Sequence, residues 1–153
     1  MNYQQQAIAG MNPVELIVAL YDGMVRFLYR AIEAIEAGNV RERRIAIKRT
    51  LDILMHLQSR LRMDVGGSSA KSLSEFYAAI FALCLEGSRL ASPERLKEAI
   101  ACVRDVREAW SIVSKDPDVI RFLAKEQGKH EVRVTTPPPP VSISEEAASS
   151  WTA

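Results

Sequence analysis

The stretch NPVELIVALYDGMVRFLYRAIEAIEAGN, residues 12–39, carries the reading of the fold. Asn12 can accept from the free N–H groups of a first helical turn. Pro13 fits where no N–H is needed, and Glu15 stands where a capping box requires it. Gly38-Asn39 then supplies residues that tolerate positive φ, the usual way to end a helix and turn. A helix over about Pro13 to Ala37 follows, and it is apolar on more than one side. One line, Leu16, Leu20, Met24, Phe27, Ala31 and Ile35, suits a core. A second, Val14, Val18, Tyr21, Val25 and Tyr29, overlaps it in part, although a bundle helix needs only about a 100° apolar face.

The same punctuation repeats downstream. A second helix is predicted from about Val40 to Met63, ended by a flexible loop at Gly66-Gly67. Ser72 and Glu75 in SLSE form a capping box that opens a third helix reaching about Leu90. Ser92-Pro93 starts a fourth that reaches Val113 or beyond, and DPDV at Asp116 to Val119 suggests a short fifth. The fourth helix has one stripe, Leu96, Ile100, Val103, Val106, Trp110 and Val113; the second aligns Ile47, Leu51, Leu54 and Leu61. Long helices joined by short connections are forced into antiparallel neighbours. The expected architecture is all-α: an antiparallel up-down four-helix bundle with a short extra C-terminal helix and a short N-terminal cap segment.

Residues 1–12 read as the leader, with Tyr3, Ile8 and Met11 strung along a polar stretch. Residues 13–127 read as the bundle. From 128 to 153 the four consecutive prolines and the Ser/Ala/Glu-rich end read as an extended or disordered tail.

A chain of 153 residues, 48% hydrophobic and 25% charged, is large enough to bury one core, and its net charge of +1 gives no sign of a nucleic-acid surface. Cys84 and Cys102 fall in apolar helical patterns without metal-ligand or redox spacing, which suits a reduced cytosolic setting. The longest apolar run, Tyr77 to Leu85, is too short to span a bilayer, and no secretory signal pattern opens the chain, so neither membrane insertion nor signal-directed secretion is expected.

Chemistry-bearing constellations are missing. The two histidines, His56 and His130, belong to no Glu-x-x-His pair, and no glycine-rich phosphate loop occurs. Glu33, Glu36, Glu42, Glu86 and Glu98 sit on polar faces as solvated charge. Neither catalysis, a metal nor a cofactor is expected. A histidine phosphotransfer bundle would surround an exposed histidine with His-x-x-Lys-Gly, whereas His56 is followed by Leu-Gln-Ser-Arg.

The surplus apolar lines leave two readings. Besides the second line of the first helix, Ile53 and Leu57 flank the main stripe of the second, and Phe81 and Leu85 flank that of the third. These residues either thicken the core, with the fifth helix as cover, or form an external groove for apolar partner helices. Burial in a self-associating structural bundle is a further alternative, and the oligomeric state stays open.

Beyond these residue-level readings, the leader and first helix resemble the flagellar export chaperone family. The likeness lies in Tyr3-Gln4, Ile8, the proline-started helix and ELIVALYDG, Glu15 to Gly23. Further on, SRLRMDVGG, LSEFYAAI and VREAW (Val106 to Trp110) are similar to the family's second, third and closing helices. The resemblance covers Tyr3 to Trp110; the fifth helix and the proline-rich tail depart from it. It implies a bacterial cytosolic protein whose partner is the C-terminal helical segment of flagellin, held soluble and monomeric until an export gate takes it. It also implies that the leader, through Tyr3 and Ile8, covers part of the empty groove. The partner-facing residues would then be Tyr3, Ile8, Val14, Val18, Tyr21, Val25, Tyr29, Ile53, Leu57, Phe81 and Leu85.

Overall fold

Most of the helix ends lie where backbone groups find local partners. The computed structural model describes residues 12–61, 63–122 and 124–125. It contains four long helices: α1 (Pro13–Glu36), α2 (Val40–Ser59), α3 (Met63–Arg89) and α4 (Pro93–Ser114). At the head of α1, Asn12 Oδ1 accepts from Glu15 N–H at 2.8 Å while Asn12 N–H donates to Glu15 Oε2 at 3.2 Å. The expected capping box is present. The far end closes through Gly38, φ +68°: Asn39 N–H donates to Ala34 O at 2.8 Å and Gly38 N–H to Ile35 O at 3.1 Å. Asn39 then caps α2 by accepting from Glu42 N–H at 3.0 Å.

The α3–α4 turn uses the same closure without a glycine. Ser92 N–H donates to Gly87 O at 2.9 Å and Ala91 N–H to Ser88 O at 3.2 Å, with Ala91 held at φ +48°. Ser92 Oγ also accepts from Arg95 N–H at 3.3 Å, so one residue closes α3 and caps α4.

Two expected boundaries are corrected. α2 stops at Ser59, short of Met63, where Ser59 Oγ donates to His56 O at 2.7 Å and Arg60 N–H to Leu57 O at 3.2 Å. The residues read as a loop around Gly66-Gly67 belong to α3 instead. Gly67 leaves the helical region (φ 55°, ψ −135°), a conformation that glycine adopts without a Cβ penalty, so α3 is two helical segments that meet at a sharp break there, with no loop reaching to Ser72. Ser72 and Glu75 therefore lie inside α3 and cap nothing.

α1 packs on α2 and α4, and α3 packs on the same two, leaving α1 and α3 diagonal to one another. Every element of the core is all-α, and no strand occurs among the described residues. The core line of α1 falls between the two lines read from sequence. Met24 and Ala31 are buried as expected, but Tyr21 and Leu28 are also fully buried, while Leu16, Leu20, Phe27 and Ile35 are only partly so. A helix this apolar fits several stripes equally well, and its neighbours choose among them. On α4, Leu96, Ile100 and Val103 are buried, Val106 and Trp110 are half-buried, and Val113 is exposed.

Residues 117–122 are helical, begun by Asp116 Oδ1 accepting from Asp118 N–H at 2.9 Å. Ile120 and Phe122 in this turn stay 44% and 62% exposed, so they do not close over the bundle as a cover would. Leader residues 1–11 and the tail, with its boundary at 128, lie outside the described residues.

Candidate partner-binding groove

Antiparallel packing brings four helix ends to one end of the bundle: the starts of α1 and α3 and the finishes of α2 and α4. Apolar residues toward those ends face a common groove. Pro13, Leu16, Ile17 and Leu20 of α1, Leu57 of α2 with Leu61 beyond it, Leu73 and Tyr77 of α3, and Trp110 of α4 line a groove of about 200 Å³ there. Arg60 is its charged rim.

A second groove, about 470 Å³, runs between α2 and α3 over Leu54, Met55, Tyr77, Ala78 and Phe81. Its rim is neutral: Gln58 Nε2 donates to Ser74 Oγ at 2.7 Å. Tyr77, itself 3% exposed, is a floor residue shared by the end groove and this second groove. Met55 projects from it, 62% exposed. A third cavity, about 670 Å³ at the α1–α2 hairpin end, differs in character. Arg30, Glu33, Glu42 and Arg49 ring its apolar floor, and the Arg30 guanidinium stacks 5.5 Å from the Phe27 ring centre.

Beneath the junction of the two apolar grooves lies a short polar chain. Trp110 Nε1–H donates to Tyr21 Oη at 3.3 Å, and the Tyr21 and Tyr77 hydroxyls are bonded to each other at 2.8 Å. The two phenol rings meet edge to face with centres 6.2 Å apart. Burial pushes both phenols above their ordinary pKa, Tyr77 the more strongly, so both hold their protons throughout the physiological range.

The residues expected to face a partner are dispersed. Phe81 lines the α2/α3 groove and Leu57 the end groove, where Leu57 is 3% exposed and acts as floor. Leu85 lies one turn beyond Phe81, exposed. Tyr21 is wholly buried at the bundle centre and Val14 is buried, so neither presents a surface. Tyr29 points to the α1/α4 seam, where the Arg104 guanidinium stands 5.3 Å from its ring centre. Val18 and Val25, on the same line of α1, are half-buried. Ile53 turns toward α1, its Cδ1 3.3 Å from where a Cβ on Gly23 would stand. Tyr3 and Ile8 lie outside the described residues.

Sequence reasoning placed Leu16 and Leu20 in the core and did not single out Ile17, Met55, Leu73 or Tyr77. The available signal was positional: apolar residues in the first halves of α1 and α3 and the last turns of α2 and α4 converge on one end of an antiparallel bundle.

The surface can cover apolar area, and it offers little else. Among the described residues no group of three His, Cys, Asp or Glu side chains could hold a metal ion. No described helix is long and apolar enough to cross a membrane.

Comparison with known proteins gives a consistent result. Residues 1–117 match the family described as "Flagellar protein FliS". The chain is 31% identical over 117 residues to the flagellar secretion chaperone FliS of Campylobacter jejuni, covering 76% of this chain and 91% of that one. It is 25% identical over 121 residues to the flagellar secretion chaperone FliS of Vibrio cholerae, with 79% and 88% covered. To that of Salmonella typhimurium it is 27% identical over 111 residues, with 72% and 82% covered.

Proposed function

The chain belongs to the FliS family of flagellar proteins, and on that footing we propose that it is a cytoplasmic flagellar secretion chaperone whose client is flagellin. It binds the C-terminal helical segment of flagellin, blocks premature polymerisation and keeps the client competent for hand-over to the export gate. The observation that carries this reading is the pair of apolar grooves that share Tyr77 as floor. An amphipathic client helix laid there would shield its apolar face and that of the groove together, at about 25 cal/mol per Å² of apolar area removed from water. The cost of ordering the client offsets part of this gain and leaves an affinity that permits release. Chaperoning of this kind requires no catalytic group or cofactor.

Residues 1–12 act as a displaceable cover, with Tyr3 and Ile8 occupying the end groove when no client is present. Its tether supports this: the leader joins α1 at Asn12, and the next residue, Pro13, already lines the end groove.

Calorimetric titration tests the client assignment. Flagellin from the same organism should bind one-to-one, and flagellin lacking its C-terminal helical segment should give no heat. Undiminished heat from the truncated client rejects the assignment.

A further inference from the structure

The α2/α3 groove leaves Met55 exposed and Phe81 half-buried above a floor of Leu54 and Tyr77, and its rim is neutral. An occupant suited to it is a short helix with an apolar stripe and no charge within that stripe. The chain carries such a segment beyond its four prolines, SISEEAASSW, residues 142–151. Ser142 and Glu145 have the spacing of a capping box, and Ile143, Ala147 and Trp151, at steps of four, fall on one helical face. Glu145 falls on the opposite face and Glu146 at the edge of the stripe. Among the described residues lining the two apolar grooves the one charged side chain is Arg60, so an acidic edge meets attraction there. Ten residues, four of them serine, do not hold a helix alone in water. That agrees with the extended tail expected from the sequence, and docking on an apolar surface supplies the missing stabilisation.

The tether reaches. Gln58 and Ser59 of the groove are in the last turn of α2, at the end of the bundle where α4 finishes and from which the tail departs. From Lys125 to Ile143 the chain can extend to about 55 Å at about 3.1 Å per residue, whereas a 20-residue helix such as α2 is only about 30 Å long. We propose that residues 142–151 dock as an amphipathic helix on the α2/α3 groove of their own chain, with Ile143 and Trp151 packed around Met55 and Phe81, and that client displaces them. The displacement rests on the reading of that groove as the client site; the docking does not. Tethering makes a weak contact sufficient. At an effective concentration of about 1 mM, an intrinsic dissociation constant of about 0.1–0.5 mM keeps the groove mostly covered and reduces the apparent affinity for client about three- to tenfold.

Tryptophan emission tests the docking in the full chain. The chain has two tryptophans, so subtracting the spectrum of Trp151→Phe, made in each background, isolates Trp151. Its emission should be that of a buried indole. It should shift to the red in Met55→Glu and stay unchanged in Ile45→Glu, at the far end of the bundle. Solvent-exposed emission in the unmodified protein, or no response to Met55→Glu, overturns the docking. A red shift on dilution places the segment on a second copy and overturns the contact within one chain. Calorimetry tests the displacement: the double variant Ile143→Ser/Trp151→Ser should bind the flagellin C-terminal segment about three- to tenfold more tightly than the unmodified protein. Equal affinity overturns the competition. If no flagellin segment binds while Trp151 still responds to Met55→Glu, the client reading fails and the docked tail stands.

Discussion

Asp22 and Arg107 join α1 to α4 by a forked contact, Nε to Oδ1 at 2.7 Å and Nη2 to Oδ2 at 3.3 Å. The flanking residues of Asp22 reach the other two helices. Tyr21 bonds to Tyr77 of α3, and Gly23 admits Ile53 of α2 to within 3.3 Å of the position a Cβ would take. The tripeptide Tyr21-Asp22-Gly23 thus ties α1 to every other long helix by three different means: a buried hydrogen bond, an ion pair and the omission of a side chain.

Of the three, the ion pair should matter least. Its side chains are 34% and 43% exposed, so solvent screens the attraction. Asp22→Ala should lower stability by about 1 kcal/mol or less, and by less again in high salt. Denaturant melts at two salt concentrations check this. A salt-independent loss of several kcal/mol would mean that the pair is far better shielded than its exposure indicates.

Gly87 sets the closest approach of α3 to α4. A Cβ there would stand 2.7 Å from Leu96 Cδ2, 3.1 Å from its Cγ and 3.2 Å from Arg95 Cβ. Leu96 is wholly buried and cannot swing clear. Helix propensity alone favours alanine over glycine by about 1 kcal/mol, whereas overpacking costs about 1–3 kcal/mol. Gly87→Ala should therefore reduce the melting temperature despite the better helix former. A rise would show that the α3–α4 contact yields easily.

The two thiols should react very differently. Burial pushes the Cys84 thiol up to about 12, while Cys102 is exposed on α4. Alkylation at pH 8 should modify Cys102 and spare Cys84 until denaturant is added. The same shift has a stability consequence. The unfolded thiol ionises near its ordinary value of 9.0 and the folded one only near 12, so the contribution of Cys84 is complete below pH 9 and is lost as pH rises through that interval. Equal labelling of both thiols in the native protein contradicts the packing around α3.

The helices were legible because their caps are local. Asn12 and Ser92 each place a side-chain acceptor before a first turn, and the structure puts both at an N-cap; Asn39, read only as part of the turn with Gly38, caps α2 as well. Gly66-Gly67 does mark an interruption, at Gly67, but helix resumes directly after it and not at Ser72, because a single glycine outside the helical region can break a helix without a loop. The groove was harder to read. Leu20 and Tyr21 are both apolar and adjacent, so periodicity could not tell which of them meets the core. Tyr21 won through a partner 56 residues away, a contact no local pattern encodes. The family resemblance was easier to see than the surface behind it, since a motif such as ELIVALYDG combines packing requirements with binding requirements.

Removal of the leader as far as Gly10 should raise the binding of an apolar dye to the client-free protein while leaving its helix content intact, because Asn12 and its capping box remain. Leu28→Ala gives the contrast: Leu28 is 0% exposed, and truncating a buried leucine costs about 2–5 kcal/mol. If leader removal melts the bundle as severely as Leu28→Ala, the leader is fixed core and not a displaceable cover.

Met55 stands 62% exposed on the α2/α3 groove, so a charge can replace it without entering the core. Ile45, 42% exposed beside the charge-ringed cavity at the hairpin end, serves as its control. Isothermal titration of flagellin's C-terminal segment into Met55→Glu should show affinity reduced at least about tenfold, as expected for a residue near the centre of an apolar interface, with the melting temperature unchanged. Ile45→Glu should bind as the unmodified protein does. Full affinity in Met55→Glu, or an equal loss in Ile45→Glu, would place the client elsewhere on the bundle.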